Sequence, residues 1–136
     1  MSIHTQLTIS QADRRPMYLQ IMEQIRHRVA IGEWQPGEEI PSIRVLAAST
    51  RVSVITVKRA YLELERAGVI TTRQGRGTFV ANDVDLSRQL REQELDEHLG
   101  KAVAVALELG LTKSELEARL GDVVGRKDRE DPGKDL

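Results

Sequence analysis

Apolar residues recur with helical spacing in the first half of the chain. Over Met17–Ile31 they fall at Tyr18, Ile21, Met22, Ile25 and Val29, which is one face of a helix. Pro16 suits the first helical position, where its missing N–H costs nothing, and Gly32 stands where a left-handed terminal residue is wanted. Trp34, just before a Pro36-Gly37 turn, is a candidate core anchor. Ser42 is a good N-cap for a short helix over 43–49, and Ser49-Thr50-Arg51-Val52 makes a tight connection. Ser53 then caps a second helix that runs to about Ala67. Its apolar stripe is Val57, Ala60, Tyr61 and Leu64, an i, i+3, i+4, i+7 pattern closed by Gly68. Val69–Arg73 and Thr78–Ala81 are β-like runs. Gln74-Gly75-Arg76-Gly77 joins them as a hairpin, with two glycines available for positive φ. Ahead of these elements, residues 1–15 are polar apart from Leu7-Thr8-Ile9, expected as a short strand or a mobile arm.

The second half is patterned differently. The polar stretch Ala81–Ser87 reads as a hinge before a long helix over about 86–109. Within that helix Leu95, Leu99, Ala102, Ala106 and Leu109 step by four and three, a coiled-coil-like seam that Val103 and Leu107 widen. Gly110 ends the helix. Thr112 with Glu115 forms a capping box, and Leu111 with Leu116 a hydrophobic staple, for a last helix offering Leu116, Leu120, Val123 and Val124. The charged end of the chain contains Pro132-Gly133 and no core residue, so 126–136 is expected to be disordered. The expected organisation is residues 1–81 as one domain, 82–125 as a two-helix segment and 126–136 as a tail.

Two short helices joined by a few residues, the second amphipathic and basic, describe a helix-turn-helix, and a Gly/Arg-tipped hairpin after it makes a winged helix. The fold class is therefore mainly α with a small β wing: an N-terminal winged helix-turn-helix followed by a short two-helix dimerisation tail. The chemistry fits DNA. The Ser53-capped helix presents free N–H groups toward phosphate. With Val57, Ala60, Tyr61 and Leu64 buried, its first turns expose Val54, Ile55, Thr56, Lys58 and Arg59. Ser42 and Arg44 begin the preceding helix, and Arg51 lies in the connection; the two arginines are placed to clamp the backbone. Arg73, Gln74 and Arg76 decorate the wing, and Gly75 and Gly77 let its backbone come close to a sugar-phosphate chain.

Charge sharpens this reading. The net charge is −1 over 136 residues, but residues 1–80 hold 11 Lys/Arg against 7 Asp/Glu. Residues 81–136 hold 9 against 14, and residues 41–80 hold 7 against 2. An anionic partner is expected for the first half only. The four aromatic residues, Tyr18, Trp34, Tyr61 and Phe79, all precede residue 81, so the tail must pack with aliphatic side chains. Two helices in so short a segment cannot bury that aliphatic surface alone. A homodimer is expected, with Leu95, Leu99, Ala102, Val103, Ala106, Leu109, Leu116 and Leu120 at its interface.

Several of these segments, in this order, resemble the GntR-type winged-helix repressors. They are Pro16-Met17-Tyr18-Leu19-Gln20-Ile21, Pro36-Gly37, Ile40-Pro41-Ser42-Ile43-Arg44-Val45-Leu46-Ala47, Thr56 to Ile70 and Gly75-Arg76-Gly77-Thr78-Phe79-Val80. The two-helix remainder resembles the YtrA subfamily, whose members are small, dimeric and lack a large ligand domain. The resemblance implies a homodimeric bacterial transcriptional repressor binding a double-stranded DNA operator, often of a neighbouring transporter operon. It also implies DNA contacts at the positions of Arg44, Val54, Ile55, Thr56, Lys58, Gln74 and Gly75. Val54 departs from the family pattern by replacing a polar or basic residue, and Ile55 is apolar too, which leaves Thr56 and Lys58 as the polar readers.

Other classes fit less well. There is no cysteine, and His4, His27 and His98 are scattered without spaced carboxylate partners, so neither a metal site nor a cofactor is expected. No apolar run approaches the ~18 residues of a membrane span, and the start of the chain lacks a signal-peptide profile; a cytoplasmic protein with no membrane partner is the expectation. Some relatives fuse this winged helix to an aminotransferase-like domain, but the tail has no room for a cofactor fold, and no enzyme is expected. The remaining competitor is a winged-helix protein-interaction module in a larger assembly, which the basic excess over 41–80 disfavours. The tail offers no inward polar group at helical spacing to orient a ligand. A small-molecule effector, if one acts, is expected at the dimer interface or between tail and winged helix; regulation by protein level alone is the alternative.

Overall fold

The computed structural model describes residues 7–10 and 12–130. In chain order the elements are α1 (Met17–Ala30), β1 (Glu39–Ile40), α2 (Ile43–Thr50), α3 (Val54–Arg66), β2 (Ile70–Arg73), β3 (Gly77–Val80), α4 (Leu86–Glu108) and α5 (Lys113–Glu130). One compact unit runs to Gln93 and a second begins at Glu94.

The first unit is a winged helix. The face of α1 carrying Ile21, Ile25 and Val29 is buried, as is the Val57, Ala60, Tyr61 and Leu64 face of α3, and the two helices pack together. Trp34 lies in the same core, with Ile40, Leu46, Val69, Ile70 and Val80. Pro16 sits one position earlier than expected, as the N-cap of α1 rather than its first residue, with its carbonyl accepting from Leu19 N–H at 3.1 Å. The wing is an antiparallel sheet of order β1-β3-β2, with Glu39 opposite Phe79 and Thr71 opposite the same residue from the other side. β1 carries no signal of its own in the sequence: two residues become a strand only because β3 supplies their partners.

Residues 7–10 are neither a strand nor a loose arm. Leu7 is buried in the core and Ile9 packs against it. Two glutamines one turn apart on α1 hold the backbone of alternate arm residues. Gln20 Oε1 accepts Ser10 N–H at 2.9 Å and its amide donates to the Ser10 carbonyl at 3.1 Å. Gln24 treats both groups of Thr8 in the same way. These side chains supply the pairing that a neighbouring strand would otherwise give. Residues 1–6 of the expected arm lie outside the described residues.

The linker also differs from expectation. Ala81 N–H donates to the Val69 carbonyl at 2.9 Å, and Leu86 and Leu90 of α4 are buried in the first unit's core. The stretch 81–87 is therefore tied to the winged helix rather than free to act as a hinge, and the winged-helix unit extends past residue 81 into α4.

In the second unit the Thr112–Glu115 capping box forms. Thr112 N–H donates to Glu115 Oε1 at 3.0 Å, and Glu115 N–H to Thr112 Oγ1 at 3.2 Å. These bonds hold the Glu115 carboxyl below its ordinary pKa. Helix α5 continues through Glu130, where disorder was expected from residue 126. Low hydrophobicity does not stop a helix that meets no proline before Pro132. Lys127 and Arg129 complement the dipole of its last turn, and Lys127 pairs with Glu130 at 3.5 Å. Residues 131–136 of the expected tail lie outside the described residues.

The hydroxyl of buried Tyr61 donates to the Pro41 carbonyl at 2.6 Å, joining the middle of α3 to the residue before the α2 cap. Burial raises the Tyr61 pKa far above its ordinary value, so the folded state keeps the phenol protonated. That contribution to stability is complete below the unfolded phenol pKa of about 10 and declines as pH rises above it. Tyr61→Phe should cost about 1 kcal/mol at neutral pH. Its stability should also fall less steeply than the wild type's above pH ~10, as measured by urea unfolding at both pH values.

Candidate nucleic-acid interface

Helices α2 and α3 pack against each other across a three-residue turn, Arg51-Val52-Ser53. Val52 is buried and anchors the turn. Arg51 takes the left-handed conformation, φ 58°, that terminates α2, and its N–H donates to the Ala47 carbonyl. A non-glycine residue there costs free energy that glycine would avoid, and the conformation turns an exposed arginine out between the two helices.

Both helices begin with a serine cap and have no acidic residue in the first turn. Ser42 Oγ accepts Val45 N–H at 3.2 Å, and Ser53 Oγ accepts Thr56 N–H at 3.2 Å. Ser53 Oγ also lies 2.8 Å from Thr56 Oγ1, so the half-buried Thr56 hydroxyl is oriented by the cap beside it. Arg44 is exposed on the first turn of α2. On α3, Val54, Lys58 and Arg59 are exposed, and Ile55 is the most open of its apolar residues at 80%. The structure thus brings Ser42, Arg44, Arg51, Ser53, Val54, Ile55, Thr56, Lys58 and Arg59 onto the two helices and the single turn between them.

The wing residues Arg73, Gln74, Gly75 and Arg76 are exposed at the hairpin tip, where Arg76 N–H closes the turn on the Arg73 carbonyl at 2.9 Å. The Arg73 guanidinium lies over the Phe79 ring, 5.1 Å from its centroid, so Arg73 leans along the sheet while Gln74 and Arg76 stay at the tip. Gly77 has φ +128°, and a Cβ there would come within 2.7 Å of Glu39 Oε1. The positive φ requires glycine at that position, whereas the exposed Glu39 side chain can swing aside.

Three features escaped the sequence reading. Glu65 Oε1 accepts Thr72 N–H at 3.2 Å and so ties the end of α3 to the wing. The Tyr61 hydroxyl ties α3 to the entrance of α2. Tyr18 of α1 lies beneath Arg59: the guanidinium is 3.8 Å from the ring centroid, and Arg59 donates to the Tyr18 hydroxyl at 3.2 Å. Arg59 and Glu63 have the i, i+4 spacing of a surface ion pair, but Glu63 accepts from Arg66 at 3.0 Å. The last two of these features join residues 20 and 41 positions apart in the chain, beyond the reach of any local signal.

In the second unit Leu95, Leu99 (44%), Ala102, Val103, Leu109 (64%) and Leu120 are exposed. Ala106, expected on the same seam, is buried within its own chain, where Leu111 N–H folds back onto the Ala106 carbonyl at 2.9 Å. Leu116 is half-buried, as is its staple partner Leu111. A concave surface in this unit is lined by Arg119, Gly121, Asp122, Val123, Gly125, Arg126 and Arg129, all from α5. One helix cannot enclose a ligand. Among the described residues no group of histidines and carboxylates is placed to hold a metal, and no helix is long and apolar enough to cross a membrane.

The family model of bacterial regulatory proteins of the gntR family matches residues 17–80. The uncharacterized HTH-type transcriptional regulator YhcF of Bacillus subtilis is 41% identical over 102 residues, 75% of this chain and 84% of that protein. The HTH-type transcriptional repressor YtrA of Bacillus subtilis is 34% identical over 93 residues, 61% of this chain and 72% of that protein. Among solved structures, a GntR family transcriptional regulator from Listeria monocytogenes has a TM-score of 0.71 at 28% identity, covering 81% of this chain and 96% of that one. The AraR DNA-binding domain in complex with operator ORX1 has a TM-score of 0.53 at 31% identity, covering 57% of this chain and 100% of that one. With the basic helix-turn-helix and wing described above, these likenesses show that the chain belongs to the GntR family of bacterial regulatory proteins, as a DNA-binding transcriptional regulator of the YtrA-like type and not an enzyme.

Proposed function

We propose that this regulator is a cytoplasmic repressor that binds an inverted-repeat operator as a homodimer and controls a neighbouring transporter operon. The observation that carries the reading is the start of α3. A serine-capped helix free of first-turn acids presents Ile55 and Lys58 outward, flanked by Arg44 and Arg51. Major-groove reading by such a helix needs those side chains clear of the core. In this reading Lys58 and Thr56 bond base edges, while Ile55 and Val54 meet thymine methyls. Arg44, Arg51, Arg59 and the wing residues Arg73, Gln74, Gly75 and Arg76 hold the sugar-phosphate backbone. Repression is supported by the likeness to the HTH-type transcriptional repressor YtrA, and operator binding by the AraR domain's complex.

Dimerisation is supported by the second unit. Ala106 is its only buried apolar residue among the described ones, so its leucines and valines have no core of their own. Covering Leu95, Leu99, Val103, Leu109 and Leu120 with a second copy removes that surface from water. A two-fold axis then sets two half-sites about one helical turn apart, ~10 bp.

DNA binding should be steep in salt, with a log–log slope of about −5 to −9 for roughly 6–10 phosphate contacts per dimer. Arg44→Ala should weaken binding to operator and unrelated duplexes alike; unchanged affinity in a gel-shift titration would remove Arg44 from the interface. Lys58→Ala should change the motif selected from random duplexes, or cost ~1–3 kcal/mol at one base position. The same motif with the same penalties would reduce Lys58 to a phosphate contact. Leu99→Glu should sediment as a monomer and bind DNA weakly and without cooperativity. A Leu99→Glu dimer would place the interface elsewhere.

A further inference from the structure

Among the basic residues of the interface Arg59 is the most closely held by a neutral group, with a ring 3.8 Å beneath its guanidinium and a hydrogen bond to that ring's hydroxyl, where Arg73 has only a ring at 5.1 Å. On α3 it shares an outward stripe with Ile55, Leu62 and Arg66, all exposed, at i, i+4, i+7 and i+11. Its spacing to Glu63 is that of a helical ion pair. The structure makes other contacts: Glu63 bonds Arg66, and Arg59 stacks on the half-buried ring of Tyr18 and donates one N–H to its hydroxyl. The ring is fixed in turn. Tyr18 is the second residue of α1, whose next turns insert Ile21 and Ile25 into the core. The acids that flank this end of α1, Asp13 and Glu23, are both bonded by Arg15, so they do not draw Arg59 away.

We propose that Tyr18 is a positioning residue for DNA binding, which holds the Arg59 guanidinium open to a backbone phosphate and keeps it from pairing with Glu63. The proposal rests on the reading that this face of α3 meets DNA. A guanidinium has five N–H donors in a planar fork, and the Tyr18 hydroxyl occupies only one direction of it. Stacking leaves the remaining edge free for bidentate contact with a phosphate, and the side chain is already ordered before DNA arrives. An Arg59 paired with Glu63 would bring a carboxylate to the phosphate and would have to break that pair on binding. Tyr18 thereby makes α1 part of the nucleic-acid interface, although α1 itself need not touch the duplex.

The test uses the full chain and a mixed-sequence duplex, since a phosphate contact is independent of sequence. Affinity is measured across a salt series for the wild type, Arg44→Ala, Arg59→Ala, Tyr18→Leu, Tyr18→Phe and the double variants Tyr18→Leu/Arg59→Ala and Tyr18→Leu/Glu63→Gln. Leucine keeps the apolar packing of Tyr18 and removes the ring face and hydroxyl, and thermal unfolding checks that each variant is folded. Arg59→Ala should flatten the dependence of log affinity on log salt by about 0.9 per protomer. Tyr18→Leu should flatten it by most of that amount, and Tyr18→Phe should cost only about twofold, because the ring face remains. Tyr18→Leu should have no further effect in an Arg59→Ala background, and Glu63→Gln should restore the slope lost in Tyr18→Leu. A merely structural Tyr18 would weaken binding equally with or without Arg59 and would not be rescued by Glu63→Gln; either result overturns the proposal. If Arg44→Ala flattens the slope while Arg59→Ala and Tyr18→Leu leave it unchanged, the positioning role falls and the DNA-binding face stands. A wild type that does not bind the duplex at any salt overturns both.

Discussion

Burial of one face of α3 against α1 is the contact on which the rest of the molecule depends. Val57, Ala60, Tyr61 and Leu64 are removed from water by a core that includes Ile21, Ile25 and Val29. Each valine, leucine and isoleucine among them contributes roughly 1.5–3 kcal/mol when fully buried. Because a helix has only one buried stripe here, the same packing decides what it shows outside: Val54, Ile55, Lys58 and Arg59 are exposed since Val57 and Ala60 are not. The recognition surface is thus the complement of the hydrophobic one.

Around that contact, a few polar bonds convert packed helices into a site of defined geometry. The Tyr61 hydroxyl fixes the residue before the α2 cap, Glu65 fixes the first wing strand, and Arg51 turns the chain between α2 and α3 through a left-handed residue. Each acts on a different neighbour of α3, so α2, the turn and the wing are all referenced to one helix. The nearby arm is held by the same economy of means, two glutamine side chains pairing the backbone of Thr8 and Ser10.

The second unit shows the opposite balance. Its helices are well made locally, with a capping box at the start of α5 and a left-handed Gly110, φ 72°, closing α4. From Glu94 onward the described residues of these helices bury only Ala106 in their own chain, and the aliphatic residues at Leu95, Leu99, Leu109 and Leu120 remain open. Local propensity and capping thus form the helices, while the exposed seam supplies the reason for a second copy in the proposed dimer.

Much of this was legible in the residues alone. Periodicity located α1, α3 and α4, the caps at Ser42 and Thr112 located α2 and α5, and Gly75 and Gly77 located the hairpin, because each of these signals acts within a few residues of itself. The outward set on α3 followed from the inward one, and the basic excess over 41–80 pointed to an anionic partner. Tertiary structure decided what depends on distant partners. It made Glu39–Ile40 a strand by placing β3 beside it, and it drew Leu86 and Leu90 into the winged-helix core. It also withdrew Ala106 from the seam and set Arg59 on Tyr18 rather than beside Glu63. None of these was visible beforehand: a residue's spacing fixes which side of its own element it occupies, but only the packed chain determines what lies opposite.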